Sequence, residues 1–293
     1  DGLGSAASVQ APDDEDDKLP MPREFNPKFD YICGVTAVDE LILGEHVLAA
    51  KESLNASKLV QWVGALDHQK EWEPIDGESR YRVICVGLQL IDRKGPITEE
   101  ELEAFRTYID EFAKSIHARA DLPGTTHVLQ QAYRYDDFCA DVDIQVGLNV
   151  LSLTGSPFLG TKIRALAEAS GCVLGEDGCF HRIDVVTGQE LFTLFNLGEQ
   201  LFEASEIKHI RTYELGLTLD VPLVADGVTV FNQMLLFAKQ LAQTLGGQLV
   251  DSNHRPLNEP MIEAIRKQLS IYQQKMRQQA LEPGSTLARR LFR

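Results

Sequence analysis

Between an apolar strand-like run and a helix-like run lies Gly155-Ser156-Pro157-Phe158-Leu159-Gly160-Thr161-Lys162, a glycine-flanked loop where phosphate chemistry would sit. A phosphate-binding loop needs lysine directly after its last glycine and a hydroxyl after that. Here the two are swapped, which turns the amine about 100° around the helix from the phosphates, and Pro157 removes an amide that would cradle them. An ordinary strand-to-helix turn is expected instead. Cys172, Cys179 and His181 are metal-ligating types. A zinc site takes four ligands, however, and no fourth candidate is near, so a packed strand is expected with Cys179 and His181 on one face and Phe180 on the other. Trp72 with Glu71, Glu73 and Asp76 could contact a carbohydrate, but a loop with solvated charges accounts for them. There is no Gly-x-Ser-x-Gly elbow and no cysteine–histidine catalytic signature. The chain is expected to be no enzyme and to use no cofactor and no metal.

The 293 residues carry a formal charge of −16 and are 44% hydrophobic. That hydrophobic fraction fills the cores of two modest domains. The negative charge repels phosphate backbones and anionic bilayers, so nucleic acid is excluded as a partner and a large partner is expected to be basic or neutral. An RNA-recognition module would also need an aromatic strand motif that is missing. Cys33, Cys85, Cys139, Cys172 and Cys179 form an odd set, mostly in strand-like runs, and read as reduced core thiols of a cytosolic protein. No run approaches the roughly 20 apolar residues that span a bilayer.

The elements that would position any site follow from periodicity. Residues 1–26, with the acidic run Asp13-Asp14-Glu15-Asp16-Asp17, read as a disordered linker. A first module is expected over 27–137. Its strands run from Phe29 to Val38, Leu59 to Leu66 and Tyr81 to Ile91, with a short helix near Leu43 to Leu54 and a helix from Glu99 to His117 opened by a Thr98/Glu101 capping box. A second module is expected over 138–281. Strands fit Val142 to Leu153, Val173 to Val186, Glu190 to Leu197, Arg211 to Val221 and Gln248 to Asp251; helices fit Gly160 to Ala169, Val228 to Leu245 and a last one capped by Asn258. Residues 282–293 form a basic, apolar tail, expected to be disordered, or else to compete weakly for the second module's binding face.

Gly87-Leu88-Gln89-Leu90 precedes Phe112-Ala113-Lys114 as Gly216-Leu217-Thr218-Leu219 precedes Phe237-Ala238-Lys239. The recurrence predicts a tandem pair of α+β modules, each an antiparallel sheet with helices on one face. In Leu191-Phe192-Thr193-Leu194-Phe195-Asn196-Leu197, alternation turns Phe192 and Leu194 to one side and Leu191, Phe195 and Leu197 to the other. One side is core; the other is a second covered face or an apolar binding patch.

From about Ile144 to Met276 the chain resembles the C-terminal FtsZ-binding domain of ZipA-type cell-division proteins. The likeness rests on collinear features: the Gly160 helix closing at Ser170-Gly171, Phe180-His181-Arg182, Leu191-Phe192-Thr193-Leu194 with Asn196, Gly246-Gly247, Asp251, and the helix after Pro260. The resemblance implies a split β-α-β sandwich whose open sheet face receives the C-terminal tail of FtsZ, a short peptide of apolar and basic residues. It implies tethering of the division ring to the cytoplasmic face of the bacterial inner membrane through an N-terminal membrane helix that this chain does not contain. Carried over by position, the groove would comprise Gln145, Gly147, Asp177, Cys179, Phe195, Leu197 and Thr218. Gln145, Gly147, Asp177 and Thr218 stand where the family has larger apolar residues, so this groove is more polar. Asp177, Glu176 and Glu199 would favour a basic peptide. The alternative is a tandem interaction module for a different protein or a small ligand.

Overall fold

A computed structural model describes residues 19–66, 71–198 and 200–293. The chain divides into two compact units, 1–140 and 141–293. The fold is α+β, and all strand pairings given below are antiparallel.

In the first unit, β1 (Asp30–Ala37), α1 (Gly44–Ser53), β2 (Val60–Leu66), β3 (Arg80–Gln89), α2 (Glu99–Ser115), β4 (Ala118–Asp121) and α3 (Thr126–Val142) follow in order. The sheet runs β2-β3-β1-β4, with the two-residue strand Glu73–Pro74 outside β2. Thr98 and Glu101 form the expected reciprocal cap on α2, whose Phe105 and Phe112 meet Tyr31 and Trp62 edge to face. β4 and α3 had no expected counterpart, because four residues of strand and a helix studded with Asp and Gln carry little periodic apolar signal. Helix α3 also runs through the expected module boundary at 137/138 and up to Val142, where a strand was expected to start.

The second unit comprises β5 (Gln145–Ser152), α4 (Gly160–Ala169), β6 (Cys172–Leu174), β7 (Phe180–Ile183), β8 (Glu190–Asn196), β9 (Glu214–Asp220), α5 (Gly227–Leu245), β10 (Gly247–Val250), α6 (Glu259–Gln278) and α7 (Thr286–Leu291). Its sheet order is β6-β7-β8-β9-β5-β10. The four strands β8-β9-β5-β10 thus repeat the order β2-β3-β1-β4, and Gly87 and Gly216 occupy the same register: Gly87 faces Ile32 and Gln61, Gly216 faces Asn149 and Phe195. The edges differ, since Glu73–Pro74 follows β2 whereas β6 and β7 precede β8. Leu148, Val150, Phe192, Leu194, Leu215, Leu217 and Leu219 face α5 in one core with Phe231, Met234, Phe237 and Leu241. Gly246 ends α5 in the left-handed conformation at φ 74°, and Asn258 caps α6 by accepting from the Met261 amide.

Three expectations are corrected here. The single strand Val173 to Val186 is a hairpin, because Gly178 at φ 75° turns the chain and its amide donates to Gly175 O. The strand Arg211 to Val221 is interrupted at Tyr213, leaving Arg211–Thr212 paired with Phe158–Leu159. The basic tail is ordered: Ser285 caps α7, and Ala288, Leu291 and Phe292 are buried. Apolar residues at those positions give even a short helix one face to bury. The acidic run 13–17 lies outside the described residues, as does Glu199. Residues 19–26 of the expected linker, by contrast, are placed, with Pro22 and Phe25 buried.

Candidate functional site

The loop that resembles a phosphate site is spent on packing. The Gly160 amide donates to Ile210 O at 3.1 Å, and a Cβ at Gly160 would lie 1.9 Å from Ile207 O. The glycine is there to let two backbones approach, and its amide has a carbonyl in place of a phosphate. Gly44, which opens α1, repeats the device: its amide donates to Ser79 O at 2.9 Å, and a Cβ would lie 1.9 Å from Asp76 O. Cys172 belongs to the helix-side core while Cys179 and His181 lie on the opposite face, so the three never converge. Among the described residues no group of three or more His, Cys, Asp or Glu could hold a metal ion. Trp72 packs on the first unit's sheet and donates from Nε1 to Pro20 O.

On the second sheet, alternation leaves one face without helices. A cavity of about 470 Å³ on that face is lined by Gln145, Asp177, Cys179, Phe195 and Thr218, all carried over from the resemblance. Gly147 and Leu197 lie outside its lining; Leu197 is 43% exposed beyond the end of β8. The Phe195 ring covers Gly216, where a Cβ would come within 2.4 Å of its Cζ, so the missing side chain on β9 seats the aromatic that β8 supplies.

Leu191, Phe192, Leu223 and Val224 add an apolar part to the lining, and His181, Glu190, Thr193, Asp220 and Arg293, which were not expected there, add a polar one. Alternation from Cys179, Phe195 and Thr218 leads to His181, Thr193 and Asp220. Glu190 arrives through the β7–β8 hairpin, and Arg293 only through the fold of α7. His181 stands between two carboxylates, Nε2 at 2.9 Å from Asp177 Oδ1 and Nδ1 at 3.0 Å from Glu190 Oε2, and an imidazolium donates to both. Thr193 Oγ1 donates to Glu190 Oε1 at 2.8 Å, and Gln145 Nε2 to Asp220 Oδ2 at 3.3 Å. Burial disfavours the imidazolium, but the hydrogen bonds and charges of Asp177 and Glu190 outweigh it and raise the His181 pKa. Burial likewise opposes ionisation of Asp177, yet its bond to His181 lowers its pKa. The Cys179 thiol is pushed up by burial and then by Asp177, which makes it a poor nucleophile at neutral pH.

A pKa raised on folding contributes stability that is complete below the unfolded value of about 6.5 and is lost as pH rises through the folded value. The second unit is therefore expected to lose stability as pH rises above about 6.5 and through the raised His181 value, and His181→Gln to abolish that component. Urea midpoints across this range, with an NMR titration of the His181 ring, measure it. A flat wild-type profile with an unshifted ring titration would contradict the pairing.

The residues that carry the family likeness hold turns. Asn196 Oδ1 accepts from Thr212 Oγ1 at 2.6 Å and from the Gly198 amide at 2.9 Å. Arg182 Nη1 donates to Gly171 O, and Asp251 accepts from the Asn253 and Arg255 amides.

The second unit is thus an α+β sandwich with one sheet face sealed by helices and the other bearing a polar-rimmed aromatic cavity. Residues 145–268 match the family described as "ZipA, C-terminal FtsZ-binding domain". Over these residues the second half of the chain is similar to a ZipA-type domain. Similar curated proteins are the cell division protein ZipA of Vibrio vulnificus strain YJ016, 30% identical over 129 residues covering 42% of this chain and 40% of that protein; of Marinobacter nauticus, 27% identical over 135 residues, 45% and 40%; and of Xanthomonas axonopodis pv. citri, 26% identical over 136 residues, 45% and 56%. The chain therefore spans about two fifths to just over half the length of these relatives, and the matched stretch lies in its second unit. Among the described residues no helix is long and apolar enough to cross a membrane.

Proposed function

We propose that the second unit is a cell-division adaptor domain that binds the C-terminal tail of FtsZ on its helix-free sheet face, with Phe195 and Leu197 as apolar anchors. Gln145, Gly147, Asp177, Cys179 and Thr218 form the surrounding contact surface, and a membrane anchor in the complete protein tethers the division ring. The observation that supports this reading is the coincidence of the family match with a cavity on that face rimmed by Asp177, Glu190 and Asp220. An apolar and basic peptide would find both an aromatic seat and opposite charge there. The test is fluorescence anisotropy with a labelled synthetic FtsZ tail peptide. Saturable binding that weakens with salt is expected; no binding up to millimolar peptide would direct the search to a different basic partner.

Arg293 places a cation at this cavity. Deleting residues 282–293 would strip the buried Leu291 and Phe292 as well, so a point substitution isolates the charge. Arg293→Ala is expected to tighten binding of the basic peptide by roughly threefold, in line with one partly screened charge interaction. The same titration at low salt checks it, and unchanged affinity would remove Arg293 from the site.

A further inference from the structure

The corresponding face of the first unit is already covered. Residues 19–26 cross it before the chain reverses into β1 through a tight turn, in which the Phe29 and Asp30 amides both donate to Asn26 O at 2.9 and 2.8 Å. Phe25 is buried in a cluster with Ile32, Val63 and Cys85, with Met21 and Trp72 packed around it. Trp72 Nε1 donates to Pro20 O at 2.5 Å. The Phe25 ring lies over Gly87, where a Cβ would sit 2.7 Å from Cδ1.

The comparison between the two sheets gives these contacts their meaning. Gly216 and Gly87 share a register, and each presents a bare strip of backbone that an aromatic ring covers. In the second unit the ring is Phe195, from the neighbouring strand and facing Gly216 directly. In the first unit the facing residue on β2 is Gln61, so the sheet supplies no ring and the seat is filled by a residue from outside it. Trp72 adds an indole N–H that reads a backbone carbonyl of the incoming segment. A seat for one side chain and a donor to the occupant's main chain are two kinds of contact by which docked peptides are held.

We propose that the first unit's sheet face is a peptide-docking site whose occupant is this chain's own segment 19–26, held in cis as a ligand by Phe25 and Pro20. The segment is exchangeable, and the face, when vacated, takes the same sequence supplied in trans. The proposal stands on the first unit's contacts and does not depend on what the second unit binds. A ligand joined by a short linker is present at an effective concentration of order millimolar. A free peptide is therefore excluded from the wild-type face until the tethered one is unseated.

The chain also contains Trp62, so the test uses the full chain in a Trp62→Phe background carrying Phe25→Ser, a labelled synthetic peptide of residues 19–30, and the remaining Trp72 emission as the reporter of occupancy. The peptide is expected to bind the variant at least about 100-fold more tightly than the wild type, the factor following from that competition. Trp72 emission, shifted to the red in the variant, should return towards the wild-type value on binding. The same peptide with serine at the Phe25 position should not bind. Gly87→Ala is the second arm: its methyl occupies the seat, so it should shift Trp72 emission as Phe25→Ser does but leave the face unable to take the peptide. A folded Phe25→Ser chain that ignores the peptide, or a wild type that binds it equally well, overturns the proposal. So does a Gly87→Ala chain with wild-type Trp72 emission, and this arm decides the matter should Phe25→Ser fail to fold.

Discussion

Replacing Phe195 with arginine is expected to weaken binding of an FtsZ tail peptide by about 100-fold or more while the chain stays folded. Aromatic anchors at the centre of an interface carry about 2 kcal/mol or more each, and 100-fold corresponds to roughly 2.7 kcal/mol. Arginine removes the ring and also sets a cation against a basic ligand, so both apolar and electrostatic contributions are lost together. Phe195 is half-buried on the helix-free face, whereas Phe192 and Leu194 on the same strand are sealed in the core. A charged side chain at position 195 can reach water, and the stability change is expected to stay near 1 kcal/mol. Anisotropy titration alongside a thermal melt distinguishes the outcomes. Unfolding would mean that the ring's seat on Gly216 is part of the core; a folded variant with full affinity would clear the face of any role in tail binding.

Gly160→Ala is expected to be the most damaging single-methyl change in the second unit, costing roughly 3 kcal/mol, the upper end of what overpacking exacts. The added Cβ would meet the Ile207 carbonyl oxygen at 1.9 Å and the Ile210 Cβ at 3.0 Å. Neither neighbour is a flexible side-chain end that can swing away, so backbone must move, and the Gly160–Ile210 hydrogen bond moves with it. Gly155→Ala, five residues earlier, has nothing within 4 Å and only its φ of 69° to oppose it, so about 1 kcal/mol is expected there. Equal midpoints for the two variants in chemical denaturation would refute this reading of the loop.

Alternation made much of this site legible before any coordinates. Phe192 and Leu194 against Leu191 and Phe195 is a pattern of period two, and it separates a helix-covered face from a bare one whatever the fold. The capping box at Thr98, the Asn258 cap and the Gly246 stop are equally local, because each is a hydrogen bond or a positive φ made within a few residues. The hairpin at Gly178 was legible but not taken: Gly175-Glu176-Asp177-Gly178 carries two glycines and an Asp-Gly turn signal between two β-rich runs that were merged into one strand. The charged part of the cavity escaped for a different reason. Glu190, nine residues from His181, meets it only through the pairing of β7 with β8, and Arg293 lies more than seventy residues beyond the end of β9, so no local periodicity brings either to the cavity.

Composition, charge and periodicity were enough for an acidic α+β protein, since burial of apolar stripes and capping of helices are dictated within each element. Three things depended on the tertiary arrangement: which glycine is a backbone contact and which a free turn, that segment 19–26 lies on a sheet and not in solvent, and that the tail folds back as α7. Each turns on the distance between groups far apart in the chain, as Gly160 to Ile207 or Phe25 to Gly87. Such distances are set by the packing of whole elements against one another, a collective balance of burial against chain entropy that no local run of residues encodes.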